Sequence, residues 1–214
     1  MKLYQNYTPH FFGYTPRIAA DFCGYPLELV LVSDVEQKDP EFAKKKAHHN
    51  FPLAELPDGS IVSQSVAIAQ FVARESGKTA FIGSTPFLQA EVEQWCSFAQ
   101  SGVGPYAYSM GLCTFGWKVD AAEHKIAVDA LKEHVKLLDK HLADKEWLVG
   151  QDFTLADVAV FVSLLMPYSL CLDAGFRKAF PHAAAWFEKV SKLPVVARTT
   201  GYLKLCETAI PAAQ

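Results

Sequence analysis

Three short stretches of this chain carry side chains able to do chemistry. Tyr7-Thr8-Pro9-His10 gathers two hydroxyls and an imidazole where a first strand, Lys2 to Tyr7, ends. Turn residues or aromatic packing are the plain alternative for each. Gln64-Ser65 places an amide and a hydroxyl ahead of an apolar helical stripe, and the unpaired N–H groups of a helix start favour a carboxylate. Ser65 alone also reads as an ordinary helix cap. Phe51-Pro52 stands just before a hairpin, where the proline on its own would simply open an edge strand.

Other familiar chemistries are missing. The five cysteines (Cys23, Cys96, Cys113, Cys171, Cys206) are odd in number, far apart and without a C-x-x-C, against both a disulfide framework and a zinc site. Most are expected to be buried packing residues. His48 and His49 are adjacent and point apart on a helix, while His134 and His141 lie among Lys and Asp on an expected wet face, so no metal is predicted. Twenty basic against 23 acidic side chains give a formal charge of -3, which leaves no broad electropositive surface for direct nucleic-acid binding. Lys44-Lys45-Lys46 beside Glu41 is expected to be a solvated helix face. No apolar stretch is long enough for a bilayer and the first residues lack a secretory signal, so the expected location is cytoplasmic, away from membranes.

The elements that must position these residues follow from pattern. Of the 214 residues half are hydrophobic, enough for one compact unit of two subdomains. The first part reads strand, helix, strand, helix, strand, strand, helix, a mixed sheet with helical crossovers. Leu27 to Ser33 is the second strand, and Arg17 to Cys23 is a helix opened by Thr15-Pro16 and closed by Gly24. Leu53 to Leu56 and Ser60 to Val62 flank the turn Pro57-Asp58-Gly59. Val66, Ile68, Ala69, Val72 and Ala73 make the apolar stripe of the helix from Ser65.

Ser76 to Pro86 reads as a linker rich in turn formers. Everything beyond it is helical: Leu88, Val92, Trp95 and Ala99 until Gly104-Pro105 disrupts the period, then Val128, Leu131, Val135, Leu138 and Leu142. The strongest local signal is Thr154-Leu155-Ala156-Asp157, a capping box in which Asp157 reaches back to the Thr154 N–H and Phe153 staples against Val158. Pro167 is expected to bend or end that helix, and Ala183 to Lys192 is a further helix with Trp186, Phe187 and Val190 inward.

A small mixed α/β unit followed by an all-helical bundle, with Phe51-Pro52, Gln64-Ser65 and the Thr154 to Asp157 box in that order, resembles the glutathione transferase superfamily along the whole chain. The resemblance implies a thioredoxin-like domain at 1–78 and an all-α helical bundle at 85–214. It also implies a cis bond before Pro52, with the Phe51 backbone pairing with glutathione or a related thiol peptide, and Gln64-Ser65 holding its γ-glutamyl carboxylate. Tyr7 or Thr8 would lower the thiol pKa, with His10 at an equivalent place.

Gln94 to Ala99, Trp147 to Gly150, Phe176 to Pro181, Trp186-Phe187 and Lys204 to Glu207 are similar to one branch of that superfamily. This branch is the N-terminal glutathione-transferase-like domains of the gamma subunits of eukaryotic translation elongation factor 1. That likeness implies a scaffold in translation elongation whose partner is the guanine-nucleotide-exchange subunit, with a homodimer as a further assembly. It also implies that Ile210 to Gln214 begins a linker to further sequence. The enzyme alternative is a glutathione S-transferase conjugating electrophiles.

Overall fold

A computed structural model describes residues 1–6, 11–46 and 51–213 of the chain. Its first layer runs β1 (Lys2–Asn6), α1 (Tyr14–Cys23), β2 (Glu28–Val32), α2 (Pro40–Lys46), β3 (Leu53–Glu55), β4 (Ile61–Ser63) and α3 (Ser65–Glu75), in the expected order. The sheet order is β2-β1-β3-β4, with β1 parallel to β2 and antiparallel to β3. Alternation along β1 sends Leu3 to one face, against Ala54 and Ile68 of α3, and Tyr4 to the other, with Val32, Leu53 and Phe42 of α2.

α1 begins three residues before the expected Arg17, because Pro16 sits in its first turn, where a missing N–H leaves nothing unpaired. Gly24, at φ 67°, closes it as expected, and the Tyr25 N–H reaches Ala20 O at 2.8 Å. The β3–β4 hairpin closes through Leu56 N–H to Ser60 O at 2.9 Å, while the Asp58 carboxylate takes the Ser60 N–H at 2.9 Å. The stretch from Ser76 to Pro86 is not a free tether. It carries a 3-10 turn, Thr79–Ile82, whose Phe81 and Ile82 are buried.

The helical half comprises α4 (Pro86–Ser97), α5 (Gly104–Thr114), α6 (Ala121–His141), α7 (Leu155–Leu170), α8 (Ala174–Ala179), α9 (Pro181–Lys192) and α10 (Pro194–Thr200). Two prolines expected to disturb a helix are carried within helical chain. Between α4 and α5 the chain stays helical through a π segment, Phe98–Val103, in which the Gly104 N–H reaches back five residues to Ala99 O. Pro105, which has no N–H to place, is carried in the first turn of α5. α7 likewise runs through Pro167 to Leu170, with the freed end recovered by Cys171 and Leu172 N–H groups on Pro167 O at 2.9 and 2.8 Å.

α7 is the axis of this half, buried along most of its length. Its capping box forms: the fully buried Asp157 carboxylate accepts the Thr154 N–H at 3.0 Å and also the Leu148 N–H at 3.0 Å and the Trp186 indole N–H at 2.9 Å. Burial pushes this carboxyl above the ordinary Asp range, and the donors around it pull it back. Phe153, expected against Val158, lies in a ring cluster with Phe22, Phe81 and Trp147, which joins α1 to the start of α7. One apolar core is thus continuous from Ile18 and Val72 of the sheet layer to Leu131 and Phe161 of the helical half.

His134 and His141 are not on a wet face. Both are part-buried, His134 bonded to Ala130 O at 2.7 Å against Phe98 and Tyr106, and His141 bonded to Leu148 O at 2.9 Å against Trp95. His48 and His49 lie outside the described residues. All five cysteines are free and buried. After α10 an irregular strap at 201–213 pairs with the end of α7 through Cys206 N–H to Tyr168 O and Ile210 N–H to Leu170 O, and with α5 through Ala213 N–H to Cys113 O. Among the described residues no helix is long and apolar enough to cross a membrane.

Candidate thiol-peptide cleft

The Phe51–Pro52 bond is cis, and Pro52 is buried. The Phe51 ring stacks on Phe42 of α2 with centroids 6.2 Å apart, and the Lys46 ammonium lies 4.8 Å from its centre. Lys44 is solvated and paired with Glu41, as the run suggested, but its neighbours are not simply solvated. Lys45 reaches the sheet, bonding both Glu55 oxygens at 2.8 and 2.9 Å, and Tyr4 donates to Glu55 at 2.6 Å. The Lys45 ammonium, followed by the Tyr4 hydroxyl, holds the Glu55 carboxyl below its usual range.

α3 begins at Ser65, so the cap position belongs to Gln64 and not to the serine. Gln64 makes no side-chain cap bond and sits at φ 74°, ψ 123°, the one non-glycine with positive φ among the described residues. That conformation costs on the order of 1–3 kcal/mol. The first turn of α3 carries no acidic residue to complement its N–H groups and dipole.

Phe51, Pro52, Gln64 and Ser65 come together on one wall of a cleft of about 430 Å³ between the two layers. Thr15, at the start of α1, completes that wall. The opposite wall comes from the helical half: Gln100 from the π segment, Tyr108 and Leu112 from α5, Phe115 and Trp117 after it, and Met166 from α7. Sequence pattern alone did not nominate this second wall. A usable signal was present in Thr114 to Val119, where Phe115, Trp117 and Val119 fall outside any helical stripe and therefore have no core to enter.

None of the described residues lining the cleft is charged, and its polar groups among them are amides and hydroxyls, with Ser65 at the start of α3. The glycine at 111 matters to its depth: a Cβ there would lie 2.8 Å from the Met166 sulfur. Tyr7, Thr8 and His10, the candidate thiol activators, lie outside the described residues. No group of three metal-ligating side chains occurs among the described residues.

The glutathione S-transferase C-terminal domain family matches residues 93–194. Over 94% of its length the chain is 34% identical to Elongation factor 1-gamma-A of Xenopus laevis, covering 47% of that protein. It is 38% identical to Elongation factor 1-gamma of Rattus norvegicus over 79% of this chain and 38% of the relative. The chain therefore spans less than half the length of these relatives. Among solved structures, the GST-like domain of Elongation Factor 1-gamma from Saccharomyces cerevisiae superposes with a TM-score of 0.85 at 18% identity, over 100% of this chain and 98% of that one. A glutathione transferase of Phanerochaete chrysosporium, solved with oxidized glutathione, gives 0.79 at 23% identity over 92% of each chain. At these identities the two structures speak to the fold alone.

Proposed function

We propose that this chain, a homologue of elongation factor 1-gamma with the glutathione transferase fold, serves translation elongation as a docking domain. Its role is to anchor the guanine-nucleotide-exchange subunit of the elongation factor 1 complex, without itself carrying out exchange. The observation behind this reading is the identity to elongation factor 1-gamma proteins along nearly the whole chain. A domain of this kind acts through surface complementarity, and a stable complex would bury on the order of 1,200–2,000 Å².

Titrating the domain with a purified exchange subunit in a calorimeter tests this. Saturable heat with a dissociation constant of about 1 μM or tighter is expected. Absence of binding at concentrations a hundredfold higher overturns the reading.

A second reading is supported by the meeting of Phe51, Pro52, Gln64 and Ser65, at the start of α3, on one cleft wall. In it, Phe51 and Ser65 hold glutathione or a related thiol peptide, and Tyr7 or Thr8 lowers the thiol pKa so that it attacks an electrophile. Pairing of an extended peptide with the Phe51 backbone and capture of a carboxylate at a helix start are both known recognition modes. Titration with glutathione and an assay with an aryl halide check it. Failure of both would remove it and leave the docking role untouched.

A further inference from the structure

The end of α7 and the strap at 201–213 bring together two cysteines that stand far apart in sequence. Neighbouring carbonyls in the last turn of α7 hold their backbones: Pro167 O accepts the Cys171 N–H at 2.9 Å, and Tyr168 O accepts the Cys206 N–H at 3.0 Å. Arg177 pins the same place a second time. One of its guanidinium nitrogens donates to Leu172 O, next along from Cys171, at 2.6 Å and to Cys206 O at 2.7 Å. Two backbones laid side by side in this way suit a disulfide, whose Cα atoms stand no more than about 7 Å apart. The thiols act on one another as well. Burial first, and then the Cys206 sulfur, push the Cys171 thiol up to about 12. Burial also raises the Cys206 thiol, and there the Arg177 guanidinium pulls back toward the thiolate. The other three cysteines sit in three separate helices, Cys23 in α1, Cys96 in α4 and Cys113 in α5.

We propose that Cys171 and Cys206 form a reversible disulfide that fastens the strap to the end of α7, made by exchange with a low-molecular-weight disulfide such as oxidised glutathione. The strap has neither helix nor strand along its length, so its local opening gives a small reagent access to Cys206. Cys206 loses its proton to water, and its thiolate attacks one sulfur of oxidised glutathione. A mixed disulfide forms and one glutathione leaves as thiolate. When the strap closes, the Cys171 sulfur gives up its proton and attacks the Cys206 sulfur, expelling the second glutathione. The two released thiolates take up two protons, so the protein gives up two electrons and two protons and oxidised glutathione becomes two thiols. The proposal depends on neither reading of function given above.

The test incubates the reduced, folded protein with oxidised glutathione, blocks remaining thiols with N-ethylmaleimide and maps the digest by mass. The expected product is a Cys171–Cys206 cross-linked peptide as the main internal disulfide. It should raise the melting temperature on the order of 5 °C, and dithiothreitol should reverse the rise. Cys171→Ser should stop at the mixed disulfide, carrying one glutathione on Cys206 with no rise. Glutathione adducts alone on wild type, a different internal pair, or a Cys171–Cys206 peptide that appears only in urea overturns the proposal. A cross-link that leaves the melting temperature unchanged or lowers it overturns the fastening of the strap.

Discussion

Gln64 shows what a single residue contributes. Its positive φ is a conformation glycine takes at little cost, yet an amide side chain stands there at the cleft wall. Gln64→Gly is therefore expected to stabilise the fold by up to about 1 kcal/mol in thermal denaturation while weakening any glutathione binding, because the amide is gone. A drop in stability would show that the amide, and not backbone strain, dominates. Glu55 makes a different prediction. Lys45 and Tyr4 favour its charged form in the folded state, so its folded pKa lies below the ordinary value of 4.5. The stability it adds is complete above that ordinary value and is lost as pH falls through the lower folded one. The melting-temperature gap between wild type and Glu55→Gln should be present at about pH 7 and close by about pH 2, and a gap constant across that range would contradict the assignment.

At the scale of elements, the box at the start of α7 was legible because a capping signature depends only on residues three apart. Its wider role was not. Leu148 and Trp186 come to Asp157 from 9 and 29 residues away, and no local pattern encodes that convergence. Asp157→Ala would leave three buried N–H donors without an acceptor, a loss of about 3 kcal/mol or more and a fall of roughly 6–12 °C in melting temperature. At Gly104-Pro105 and Pro167 the expected disturbances are milder than the local sequence suggests: the α period gives way to a π segment before Gly104, and α7 ends three residues after Pro167. Proline disfavours a helix locally, but a widened turn or a recovered carbonyl, fixed by packing on α7, restores the bonds. Gly83 is a junction of the same kind. At φ 102°, where a Cβ would fall 2.4 Å from the Gln89 backbone nitrogen, it admits no side chain, and Gly83→Ala should cost on the order of 2 kcal/mol or more in a denaturant titration.

For the whole molecule, element order and apolar stripes gave the two-layer architecture, because each stripe must be covered and few arrangements cover all of them. The sheet-side wall of the cleft followed from short motifs. The helical wall did not, since Met166 lies far along the chain from Tyr108, Phe115 and Trp117 and meets them only once α5 and α7 pack. Arg198 of α10 and Asp21 of α1 close the molecule from its two ends, with guanidinium bonds of 2.8 and 3.0 Å. This pair is largely exposed, so Arg198→Ala should lower stability by less than about 1 kcal/mol. A larger fall would mean that α10 holds the layers together through this contact and not through its buried Val196.

The five buried thiols offer a built-in clock of opening. Burial pushes Cys96 and Cys171 up to about 12, so hardly any reactive thiolate exists while the fold is closed. They sit in helices, at a helix end and in the strap, so the order in which a thiol-modifying reagent marks them, read by mass, reports which parts of the molecule breathe first.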